Sequence, residues 1–103
     1  MYARVSRYQV PVASLGDDIR GADETEKRVA DWPGSAGLYY LVDRESGQTM
    51  AITLWDDEQS MSNSENNATQ LRQETSSKSG AKLVSVERYE VVAQPAKVPA
   101  GSR

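Results

Sequence analysis

The chain contains no cysteine and no histidine among its 103 residues. Without cysteine there are no disulfides, no thiolate metal sites and no cysteine nucleophile, a composition that suits a reducing compartment. Without histidine, a Ser-His-Asp triad, histidine-ligated haem or zinc and the commonest general base near neutral pH are all excluded. Long apolar runs are missing as well. The longest, Leu38 to Val42, is far too short to span a bilayer, and residues 1 to 12 lack the apolar centre of a signal peptide. A cytoplasmic location with no membrane partner is the expectation. Nor is there an excess of positive charge: twelve basic and fifteen acidic residues give a net charge of −3 and are scattered along the chain. With no basic stripe to meet phosphates, nucleic acid is not an expected partner.

What is present suits one modest core. Hydrophobic residues make up 38% and charged residues 26%, polar for a globular chain but short of the composition of disorder. The length predicts a single domain over residues 1–92, followed by a solvated tail over 93–103 with Pro95, Pro99 and Gly101. A domain of this size buries about two thirds of the surface its unfolded chain exposes, so self-association is a ready way to bury more.

Tyr2 to Val10 alternates Tyr2, Arg4, Ser6, Tyr8 and Val10 with Ala3, Val5, Arg7 and Gln9, the period of a strand. After Pro11, Ser14 is placed to cap a helix with Asp17 and Asp18 in its first turn and Leu15, Ile19, Ala22, Val29 and Ala30 on one side. Trp32-Pro33-Gly34 stops it. Leu38 to Val42 and Met50 to Trp55 read as two strands joined by Asp43 to Gln48, with Gly47 free to take the positive φ of a hairpin loop. Asp56 with Gln59 three residues on resembles a capping box, opening a second helix over about Asp57 to Ser77 that ends at Ser79-Gly80. Leu83 to Val92 forms the last strand.

Strand, helix, strand, strand, helix, strand is the split-βαβ, ferredoxin-like order: an α+β fold with a four-stranded antiparallel sheet. Right-handed crossovers put both helices on one face of it. The other face is left bare, yet the strands are apolar on both sides, as Tyr39 and Leu41 alternate with Leu38, Tyr40 and Val42. Face-to-face packing of two sheets covers such a surface, so a homodimer through the sheet faces is expected.

The run Gly34-Ser35-Ala36-Gly37-Leu38-Tyr39-Tyr40-Leu41-Val42-Asp43-Arg44-Glu45-Ser46-Gly47, followed by Ile52-Thr53-Leu54-Trp55-Asp56-Asp57-Glu58 and by Val86 to Val91, resembles the antibiotic biosynthesis monooxygenase family of dimeric α+β barrels. The resemblance covers roughly residues 2 to 92. It implies the ferredoxin-like dimeric barrel. Relatives include cofactor-free oxygenases of polycyclic phenols, haem-degrading enzymes that hold iron with a histidine, and isomerases. Since this chain has no histidine, haem degradation is not expected, and no cofactor is.

In that architecture a pocket lies between helices and sheet. On the second helix Met61, Ser64, Ala68, Leu71 and Thr75 share a side, small residues for a buried face, with Arg72 and Glu65 at the margin. Arg72 reads either as a catalytic cation for an anionic oxygen at a cavity wall or as a side chain in water. Glu26 projects near the apolar stripe of the first helix between Ala22 and Val29, as a catalytic base for a phenol or as a snorkelling carboxylate. Trp55 stacks on a flat substrate or anchors the core. Arg4, Tyr8 and Tyr40 offer substrate-binding groups to the same cavity or build core and dimer contacts. Asn63, Asn66 and Asn67 point to solvent, and Asp17, Asp18, Asp23 and Glu24 read as a solvated acidic face. The expected function is a cofactor-independent monooxygenase acting on a flat phenolic or polyketide-like small molecule. The alternative is a non-catalytic dimeric module of the same fold that binds a small aromatic ligand or a partner.

Overall fold

A computed structural model describes residues 1–95; the sequence-predicted tail therefore lies, from residue 96 on, outside the described residues. β1 (Tyr2–Gln9), α1 (Leu15–Arg20), α2 (Ala22–Ala30), β2 (Ser35–Val42), β3 (Gln48–Trp55), α3 (Glu58–Asn63), α4 (Glu65–Ser79) and β4 (Lys82–Glu90) follow one another, with a 3-10 turn at Val12–Ser14. The strands form one antiparallel sheet in the order β2-β3-β1-β4. This is the ferredoxin-like α+β arrangement the order of elements predicts. No helix among the described residues is long and apolar enough to cross a membrane.

Both predicted helices are divided. Gly21 separates α1 from α2 while keeping helical angles (φ −81, ψ −10), so the chain turns without unwinding. The second break is at Ser64, whose hydroxyl donates to the Met61 carbonyl at 2.7 Å. The Arg4 guanidinium donates to the same oxygen at 2.6 Å. An intrahelical acceptor is thereby diverted to side chains, which is how serine bends helices. The cap of α3 is Asp57 rather than Asp56: its side chain accepts from the Ser60 N–H at 2.7 Å. Gly47 adopts φ +81 at the β2–β3 hairpin, and Gly80 caps α4 in the left-handed region (φ +73), as glycine permits.

Cross-strand partners share a face. Towards the helices stand Arg4, Ser6 and Tyr8 of β1, Thr49, Ala51, Thr53 and Trp55 of β3, and Leu38, Tyr40 and Val42 of β2. The opposite face carries Ala3, Val5, Tyr39, Leu41, Met50, Ile52, Leu54 and Tyr89, of which Tyr39, Leu41 and Tyr89 are exposed. At one end of the helix side Tyr8, Val10, Leu15 and Ala81 form a core cluster, with Val42 and Ala51 packed against it.

Candidate functional site

Two of the predicted site residues, Arg4 and Trp55, form a filled region at one end of the helix–sheet layer. Trp55 is wholly buried, stacks on Trp32 with ring centroids 6.3 Å apart and planes 20° from parallel, and donates its indole N–H to Thr53 Oγ1 at 2.9 Å. The Arg4 guanidinium stands 5.4 Å from the Trp55 ring centre. Only 1% exposed, it donates to the Met61 carbonyl, to Ser64 Oγ at 2.8 Å and to Glu65 at 3.0 and 3.2 Å. Glu65 is shared with Arg88 of β4 at 2.9 Å. Burial pulls the Arg4 pKa down against the pull of Glu65, and the hydrogen bond from Arg88, joined by Arg4, holds the Glu65 carboxyl below its ordinary value.

Beside this region the layer is hollow. A cavity of about 190 Å³ runs between α1, α2 and α4 and the sheet. It exists because its floor and roof are built of small residues: Ser6 pairs with Ala51, and Ala68 and Thr75 of α4 lie above, as the small face of that helix predicts. Its apolar walls include Val29, Trp32, Leu38 and Leu71. Tyr8, Tyr40, Arg4 and Arg72 all line it. The structure brings these four together and leaves two other predicted residues out.

Glu26 does not line the cavity. The α2 residues that line it are Ala22, Thr25, Arg28 and Val29, with the exposed Glu24 at the rim, and one residue along a helix is a rotation of about 100°. The cavity-facing row is centred near Thr25 and Val29, so Glu26, one residue on from Thr25, is half-buried to the side. Trp55 does not line the cavity either; the tryptophan at its wall is Trp32, behind which Trp55 stacks.

Asp18 corrects the reading of a uniformly solvated acidic face. It is 8% exposed, lines the cavity and accepts a hydrogen bond from the Tyr40 hydroxyl. The signal lay in the spacing: Asp18 falls three residues after Leu15 and four before Ala22, on the buried side of its helix. Trp32 gave no such signal, since beside Pro33-Gly34 it looks only like a helix stop.

The electrostatics divide the groups by role. Burial, reinforced by Asp18, pushes the Tyr40 phenol well above the ordinary tyrosine range, and burial raises Tyr8 against the opposing charge of Arg72. Both phenols therefore stand as neutral donors near pH 7. Arg72 Nη2 and Arg4 Nη1 are buried with no partner among the described residues; Arg4 is otherwise held by Glu65, Ser64 and the Met61 carbonyl, whereas Arg72 has only Thr69 Oγ1 at 3.5 Å from its Nη1. At the solvent-facing edge Arg28 and Glu74 join α2 to α4 through two hydrogen bonds of 2.8 and 3.1 Å. The cavity thus offers a flat apolar slot, a half-buried cation with one unpaired nitrogen, a buried carboxylate and two phenol donors.

No protein-family model matches the sequence, and no curated protein matches it. Solved structures do. A candidate antibiotic biosynthesis monooxygenase from Deinococcus radiodurans superposes with a TM-score of 0.72 at 9% identity, over 95% of this chain and 99% of that one. The fold is that of the antibiotic biosynthesis monooxygenases. The same fold carries the haem degrader MhuD of Mycobacterium tuberculosis, solved with two haems in its active site (TM-score 0.69, 14% identity, 93% of this chain and 100% of that one). It also carries the monooxygenase ActVA-Orf6 of Streptomyces coelicolor, solved with nanaomycin D (TM-score 0.65, 14% identity, 95% and 91%). At these identities the likeness is one of fold, and the site has to be judged on its own residues.

Haem does not fit that site. Axial ligation needs histidine, cysteine, methionine or tyrosine. The first two are absent from the chain, and the cavity's two tyrosines are pushed towards their neutral form. A space of about 190 Å³ is also little more than the roughly 150 Å³ that holds one benzene, far from four linked pyrroles.

Proposed function

We propose that this chain is a cofactor-independent monooxygenase of the antibiotic biosynthesis monooxygenase fold, taking a flat, acidifiable phenolic or polyketide-like molecule into the helix–sheet cavity. The observation that carries this reading is the buried, unpartnered Arg72 Nη2 at the wall of an apolar slot. A buried donor without an acceptor is costly, and an anionic oxygen of a bound ligand relieves that cost. In such chemistry the ionised substrate supplies the electrons to oxygen, so the chain has only to bind the anion, orient it with neutral Tyr8 and Tyr40 and keep water out. Its test is oxygen uptake with a panel of one-ring and fused two-ring phenols. Uptake by the parent, reduced about 10²-fold or more in Arg72→Gln, supports it.

One observation favours a second reading, that of a non-catalytic binding module. The carboxylate that the sequence offers as a base, Glu26, stands away from the cavity. Phenol binding without oxygen uptake across the panel selects this reading.

For either activity we propose a homodimer closed through the bare sheet face. Tyr39, Leu41 and Tyr89 are 64%, 48% and 50% exposed on one side of a single sheet, and an apolar patch of that kind is covered in solution. A second copy suits it, since an aligned sheet-on-sheet contact presents the same strands to themselves. A sedimentation mass near 11.3 kDa at micromolar concentration overturns this.

A further inference from the structure

The cavity holds a carboxylate that binding an anion does not require. Asp18 is more than nine-tenths buried, and only one of its oxygens is occupied: Oδ2 accepts from Tyr40, while Oδ1 has no hydrogen-bond partner among the described residues. Its neighbour Asp17, in contrast, is exposed and pairs with Arg20. Tyr40, which holds Asp18, belongs to the outer strand β2. Asp18 reaches the cavity from α1 and Arg72 from α4, so a carboxylate and a cation line the same small space. The floor of that space includes the small pair Ser6 and Ala51.

We infer that Asp18, held by Tyr40, is a second ligand-binding group, and that the natural ligand carries a hydroxyl donor at one edge for Asp18 and an anionic oxygen at another for Arg72. The volume of about 190 Å³ limits its body to one ring, or two fused rings, since about 150 Å³ holds a benzene and ordinary ligand sites begin near 300 Å³. A hydroxyaryl carboxylate has this chemistry. The ring lies over Ser6 and Ala51 beside Trp32, its hydroxyl donating to Asp18 Oδ1 and its carboxylate accepting from Arg72 Nη2. This rests on the reading of the cavity as a ligand site, but holds whether or not the ligand is turned over.

The test is calorimetric titration of the full chain at pH 7 with 4-hydroxybenzoate, benzoate and phenol, using the parent, Asp18→Asn and Arg72→Gln. The parent is expected to bind 4-hydroxybenzoate about tenfold more tightly than benzoate, the effect of one hydrogen bond to a charged acceptor. In Asp18→Asn that preference falls to about threefold or less, with benzoate affinity unchanged; a neutral acceptor makes the weaker bond. Arg72→Gln weakens both carboxylates about tenfold and leaves phenol alone. A hydroxyl preference that persists in Asp18→Asn overturns the role of Asp18 while leaving the cavity a ligand site. Binding of none of the three probes by the parent removes the ligand site itself, and this inference with it. Should Asp18→Asn lose benzoate as well, Tyr40→Phe decides: with both carboxylate oxygens free the hydroxyl preference holds or rises, and its fall to parity overturns the inference.

Discussion

Arg4 and Arg72 stand over the same face of the same sheet, each with one buried nitrogen lacking a partner among the described residues, and they differ in how the rest of the guanidinium is held. Arg4 is sealed against Trp55 and spends its Nε and Nη2 on Glu65, Ser64 and the Met61 carbonyl, with Nη1 alone buried and unpartnered. Arg72, on α4, has a buried Nη2 with nothing to donate to, an Nη1 with one long contact to Thr69, and a void in front of it. Arginine is thus used once as a strut that ties two helices to two strands and once as a charge held ready for something from outside. The difference lies in the volume of the neighbours. Trp55 and Met61 fill the space around Arg4, while Ser6, Ala51, Ala68 and Thr75 leave space beside Arg72.

The contrast can be broken by substitution, beginning at the filled end. Trp55→Ala is expected to cost about 3–5 kcal/mol in a denaturant titration, the range for emptying a buried indole site. A loss under about 1 kcal/mol would show that this end is not the packed one. Arg4→Met is expected to cost about 2–3 kcal/mol, less than breaking a fully buried pair because Glu65 retains Arg88 and reaches solvent. The corresponding change at the hollow end, Arg72→Met, is expected to alter stability by no more than about 0.5 kcal/mol while lowering affinity for anionic phenols. Comparable destabilisation by the two methionine variants would erase the distinction. The exposed Arg28–Glu74 pair is worth least: Arg28→Gln should leave the denaturation midpoint close to that of the parent.

Acidity sharpens the same comparison. The folded-state pKa of Glu65 lies below its ordinary 4.5, so its stabilising effect is complete above that pH and is lost as pH falls through the depressed value. Melting curves below pH 4.5 should therefore show a gentler loss of stability with falling pH in Glu65→Gln than in the parent. At the other extreme, Tyr8 and Tyr40 have pKa values raised above their ordinary 10.0, so stability should fall as pH rises past 10, where unfolded tyrosines ionise and these two resist. Tyr40→Phe should lessen that alkaline loss.

The strands and their order were legible in the sequence because period-two alternation, Pro11, Gly47 and Gly80 mark them locally. The open apolar face was equally legible from strands with no polar side. What escaped depended on contacts distant in sequence. The break at Ser64 is made partly by Arg4, sixty residues earlier, and a serine in mid-helix does not announce which carbonyl it will take. Within the site, Arg72 and the small face of α4 could be read from helical spacing, and so could Asp18 had the spacing been weighed above its acidic neighbours. Glu26 was misplaced because it stands at the margin of its stripe: the face of α2 turned to the cavity is centred near Thr25 and Val29, and a polar threonine does not mark that centre in the sequence.

The position of β1 has a consequence for how the molecule comes into being. It is first in the chain but interior in the sheet, bonded on one side to β3 and on the other to β4, with Tyr2 opposite Glu90. During synthesis the opening strand can gain one neighbour early, yet its other edge stays open until almost the last described residues emerge. Closure is therefore a late, long-range event, which slows folding and leaves a strand edge available to other chains in the meantime. A truncation that removed β4 would strip the sheet of a strand next to its centre rather than trim its margin.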